Sequence, residues 1–93
     1  MKTAIFLANG SEIRVEPENG KNFTLTEMQS IVGGYIQIIP CDDIDYICVM
    51  NEEGKLTEHQ ANVKATVLCW NTLGCGADYI AGDVLICKPS QVE

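Results

Sequence analysis

The side chains able to do covalent or metal chemistry are Cys41, Cys48, Cys69, Cys75, Cys87 and a single histidine, His59. A cysteine nucleophile needs a base within hydrogen-bond reach, and His59 lies in the polar run Thr57-Glu58-His59-Gln60 with no positioned partner. It reads as a solvated surface histidine. No cysteine pair has CxxC spacing, so the ligand pattern of a zinc site is absent. Cys48 and Cys87 sit in apolar runs, where a free thiol behaves as a small hydrophobe. The odd cysteine count argues against a disulfide framework.

Carboxylates offer no better case. Asp42-Asp43-Ile44-Asp45 lacks the spacing of a twelve-residue calcium loop. Glu52 and Glu53 are adjacent, so their side chains diverge and do not pair across a substrate. There is no phosphate loop and no GxGxxG. The expectation is therefore no catalytic residue, no metal and no cofactor. Gly33-Gly34 could bring backbone N–H groups close to a ligand, and could equally stop a helix.

Charge narrows the partners. Thirteen acids against six bases give the 93-residue chain a net charge of −7. Lys2, Arg14, Lys21, Lys55, Lys64 and Lys88 are scattered and nowhere form a run, which argues against direct binding of a nucleic-acid backbone. An acidic surface suits solubility, and it also suits a basic protein partner. On that reading Asp42, Asp43, Asp45, Glu52 and Glu53 would carry the contact. No apolar run approaches the roughly 20 residues that span a bilayer, and no secretory leader is visible. A cytoplasmic protein is expected.

The elements that must position these residues read as a single domain over 1–93. Lys2 to Ala8 and the alternating run Glu12 to Glu16 are two strands, joined by the tight-turn signal Asn9-Gly10. Thr24 followed by Glu27 fits a capping box, Leu25, Met28, Ile31 and Val32 share one helical face, and Gly33-Gly34 ends the helix. Tyr35 to Ile39 is a third strand. Tyr46 to Met50 is a fourth, apolar on both faces and so expected at the centre. Residues 56–71 carry a helix beginning near Thr57 or Asn62, although Val63, Thr66, Val67 and Cys69 also favour a strand. A glycine-bearing loop over 72–77 leads to Gly82-Asp83 and a last strand, Val84 to Cys87. Residues 89–93 are expected to fray. The order β-β-α-β-β-α-β predicts an α+β domain: a mixed or antiparallel sheet of about five strands with two helices on one face. So small a core makes a homo-oligomer the expectation.

Four segments occur together: Gln29-Ser30-Ile31-Val32-Gly33-Gly34, Asn51-Glu52-Glu53-Gly54-Lys55, Asn62-Val63-Lys64-Ala65-Thr66 and Gly82-Asp83. In this order they resemble domain of unknown function 3846, a small family of phages, prophages and mobile elements, from about Leu25 to Cys87. The stretch Thr72 to Ala77 departs from the pattern. The resemblance implies an accessory protein acting against host antiviral defence. Its sharper form is a non-catalytic sponge for a nucleotide-type small molecule, with a site of Gly33, Gly34, Tyr35, Asn51, Asn62 and Asp83. Amides read base edges, aromatics stack on them, and backbone N–H groups hold phosphate. The alternative is an acidic inhibitor or adaptor that binds a host defence protein or nuclease.

Overall fold

The computed structural model describes residues 2–42, 44–55, 59–75 and 77–92. Five strands form one sheet: β1 (Ala4–Phe6), β2 (Glu12–Arg14), β3 (Ile36–Pro40), β4 (Ile47–Asn51) and β5 (Val84–Cys87). Among the described residues there are also two helices, α1 (Leu25–Val32) and α2 (Val63–Leu68), and a short 3-10 turn over Pro89–Gln91. The spatial order is β2-β1-β5-β4-β3, and every neighbouring pair is antiparallel. The predicted element order and the antiparallel sheet both stand.

Position within the sheet follows burial. All four residues of β5 are buried, so this last strand takes the centre, and β4 lies beside it instead of at the centre as expected. A strand apolar on both faces needs cover on both. Val84 and Ile86 point with Ala4, Phe6 and Cys48 towards Ala65 and Cys69 of the α2 region. Leu85 and Cys87 point with Val49 towards Met28 and Val32 of α1. The two helices therefore cover opposite faces. Their expected placement on one face is corrected by the double-sided apolar pattern of β5.

Local signals account for the boundaries. The β1–β2 hairpin closes through Leu7 N–H to Ser11 O, with Gly10 in the left-handed region at φ 97°. The α1 capping box is complete: Glu27 N–H donates to Thr24 Oγ1 and Thr24 N–H to Glu27 Oε1. Such a cap is worth about 1 kcal/mol. Gly33 ends α1 at φ 81°, where a side chain would be strained. Asn62 caps α2, which starts at Val63; the earlier start considered, Thr57, lies outside the described residues.

Of the tail expected to fray, 89–93, the described residues 89–92 are held instead. Phe23 N–H donates to Gln91 O at 2.6 Å, Val92 bridges Phe23, and the Thr3 hydroxyl bonds the Gln91 side chain. The reason is hydrophobic: Phe23 is buried in the α1-side core, and Val92 packs beside it.

Candidate functional site

The motif residues come together in two places, and in both they hold the chain to itself. Asn51, at the end of β4, is 5% exposed. Its Nδ2 donates to Val32 O at the end of α1, and its Oδ1 accepts from Glu53 N–H. A Cβ on Gly34 would stand 3.0 Å from that Nδ2, so glycine there makes room for the amide. A Cβ on Gly54 would stand 2.7 Å from Ala81 O, so the turn needs glycine for backbone approach. Asn62 is 1% exposed. Its Nδ2 donates to both Phe6 O and Gly82 O, and its Oδ1 accepts from Ala65 N–H. Asp83 Oδ1 accepts from Ala8 N–H. The polar atoms of Asn62 are thus occupied within the chain, and those of Asn51 already hold two backbone groups.

Of the remaining expected ligand residues, Gly33 caps α1 and Tyr35 stands exposed beside it. Gly33 and Asp83 do meet, across a small hollow of about 230 Å³ shared with His59 and Gln60. The expected acidic contact residues separate by role. Asp42 accepts from Asn71 and Thr72 N–H and ties the loop after α2. Asp45, Glu52 and Glu53 are exposed, and Asp43 lies outside the described residues.

The thiols do not form a nucleophilic dyad with His59. Cys41, Cys48 and Cys69 gather in the core beneath α2, whereas His59 is exposed and lies over Gly82. Hydrogen bonding with Cys41 and Cys48 lowers the Cys69 thiol below the ordinary range, which makes Cys69 the most acidic of the three. Its two neighbours are pushed up by that same bond and by burial. Burial alone pushes Cys87 to about 11.

A larger concavity lies at the other end of the α2 face. α2 is only six residues long and covers one end of that face. The opposite end is an open groove of about 760 Å³ lined by Lys2, Thr3, Arg14, Val15, Glu16, Tyr46, Lys88 and Gln91. Strand alternation explains its charge. Ala4 and Ile86 face α2, so Lys2 and Lys88, two residues beyond each, project on the same side. Arg14 is the direct partner of Ala4 and shares that face. Continuing the strand registers sets Lys88 between Lys2 and Tyr46. Three of the six basic residues therefore converge on one groove of an acidic chain. Among the described residues, the ion pairs are Lys55–Asp78 and Lys64–Glu12, and neither draws on these three.

Sequence reasoning missed this site because it sought a run of bases. The available signal was periodic: Lys2 continues the alternation of Ala4 and Phe6, and Lys88 that of Val84 and Ile86. It becomes legible only once β1 and β5 are known to be neighbours.

No helix among the described residues is long and apolar enough to cross a membrane. Neither a curated protein nor a solved structure matches the chain. A family match does extend over residues 1–93, and the motifs that resembled that family are the ones now seen clamping β4, α1, α2 and β5: the chain belongs to the family described as Domain of unknown function (DUF3846).

Proposed function

We propose that this chain is a non-catalytic binding protein for a nucleotide-type anionic small molecule, held in the groove of Lys2, Arg14 and Lys88. The observation that carries the reading is the convergence of three cations, outside any ion pair among the described residues, on one concavity of a chain with net charge −7. Arginine grips phosphate through a planar fork, and lysine adds a mobile point charge. Glu16 supplies an acceptor for a sugar hydroxyl, and Tyr46 an aromatic surface at the groove floor. The volume falls within the roughly 300–1,000 Å³ of small-molecule sites. Sequestering such a signal would serve the counter-defence role in a phage or mobile element that the family resemblance implied.

The test is calorimetric titration with inorganic phosphate, adenosine monophosphate and a cyclic dinucleotide, on the wild type and on Lys2→Glu/Lys88→Glu. Nucleotide binding that the double substitution weakens at least tenfold supports the reading. A wild type that binds none of the three up to about 1 mM, the range of the weakest useful affinities, overturns it.

A protein partner is the second reading, favoured by one observation. Val63, Val67 and Trp70 stand exposed at helical spacing along α2 and the turn after it. Contact through that stripe would be apolar and weakly salt-dependent, unlike attraction by the acidic Asp45, Glu52 and Glu53.

A further inference from the structure

The sheet ends in two edges of different character. β2 is three residues long, carries Glu12 and Arg14, and is crossed by the Lys64–Glu12 ion pair at 3.0 Å. These are the devices that keep an edge from pairing with another chain. β3 has none of them along most of its length. It is five residues long, and no charged residue stands between Glu27 and Asp42. Tyr35 is 70% exposed and Ile38 42%.

The hydrogen-bond phase of β3 fixes what this edge offers. Glu52 N–H donates to Tyr35 O, and Cys41 N–H to Tyr46 O. Tyr35, Gln37, Ile39 and Cys41 therefore turn their backbone groups inward to β4, and Ile36, Ile38 and Pro40 turn theirs outward. Pro40 has no N–H, and its carbonyl already accepts from the Thr72 hydroxyl. The open groups are the N–H and C=O of Ile36 and Ile38.

We propose that β3 pairs antiparallel with β3 of a second copy, about a twofold axis through Gln37. That register sets Ile36 opposite the partner's Ile38, and Ile38 opposite the partner's Ile36. Each pair exchanges two backbone hydrogen bonds, so all four open donors and all four acceptors of the two strands are satisfied. The neighbouring positions agree. The two Gln37 amides face each other, and the exposed Tyr35 falls opposite the partner's Ile39 on the same face. Pro40 ends the ladder on both sides. A second copy is the occupant because the segment is self-complementary in hydrogen bonding and is the uncharged part of a chain whose copies otherwise repel. The joined sheet has ten strands and keeps the charged β2 edges outermost. This pairing uses no groove residue, so it stands or falls apart from the proposed ligand.

The experiment is sedimentation equilibrium with amide hydrogen exchange, from about 1 μM to about 1 mM, a range that covers weak pairing of small interfaces. The expected mass is twice 10.2 kDa at high concentration, with Ile36 and Ile38 amides protected only there. Ile38→Lys should raise the dissociation constant about a hundredfold or more by setting an unpaired cation against the partner's Ile36. Ile38→Pro, which removes one outward N–H from each copy and no bond of the monomer, should do the same with the fold retained. Ile13→Lys on the opposite edge should leave the dimer intact. A chain that is monomeric throughout, with Ile36 and Ile38 exchanging freely, overturns the proposal. So does a dimer that survives both Ile38 substitutions.

Discussion

The buried seam around Asn51 and Asn62 and the open groove around Lys2 and Lys88 are both polar, and they spend their polar groups differently. In the seam, amides bond backbone that burial has cut off from water, such as Phe6 O, Gly82 O and Val32 O. In the groove, three cations face solvent outside any ion pair of the described residues. A buried polar group left unpaired is costly, so residue identity in the seam is dictated by the fold. An exposed cation is nearly neutral for stability, so the identity of a groove residue is free to serve a ligand. Motif density therefore marks where the fold is demanding, and here the concavity with unspent charge lies elsewhere.

The comparison breaks most directly at Asn62. Asn62→Ala strands two buried carbonyls and uncaps α2, and should cost on the order of 3–5 kcal/mol in urea denaturation. Nucleotide binding by the fraction that stays folded should be unchanged. Specific loss of binding at full stability would return Asn62 to the ligand site.

The reverse outcome is expected of the groove. Lys2→Glu/Lys88→Glu should weaken nucleotide binding at least tenfold, about 1.4 kcal/mol, and shift unfolding stability by less than about 0.5 kcal/mol. Binding by the wild type should also fall as salt rises. Denaturation and titration on the same samples separate the two regions.

Gly34→Ala sharpens the seam. Its new Cβ meets the tip of the Asn51 side chain at 3.0 Å rather than backbone, so the amide can yield. A cost of about 1 kcal/mol is expected, at the low end of overpacking. Removing the obstruction as well, in Gly34→Ala/Asn51→Ala, should cost less than the sum of the single substitutions. Simple additivity would mean that the two residues are not coupled.

What could be read from the sequence divides along the same line. The Thr24–Glu27 capping box, the Gly33 stop and the Asn9-Gly10 hairpin are local, because each is one residue's chemistry acting within a few positions. The strand and helix order followed from such signals. Non-local facts were hidden. The central place of β5, the helices on opposite faces and the tethering of Val92 to Phe23 depend on which strands become neighbours. The groove is the extreme case. Lys2 and Lys88 lie at opposite ends of the chain and are brought side by side by the β1–β5 pairing. Asn51 and Asn62 stood out as amides of the family-like motifs, suited to reading base edges, and only their burial shows that the amides serve the backbone.

The smallest expected effect concerns acid. Glu27 accepts from Thr24 and Glu18 N–H, and these bonds hold its carboxyl below the ordinary 4.5. A folded-state pKa lowered in this way adds stability that is present above the unfolded value and is lost as pH falls through the folded one. Glu27→Gln keeps an amide oxygen for capping but removes the proton-linked part. Its unfolding stability should fall less steeply than the wild type's below about pH 4.5, while the two curves run parallel near neutrality. An unchanged acid slope in Glu27→Gln would mean that the capping carboxylate is equally well satisfied in the unfolded chain.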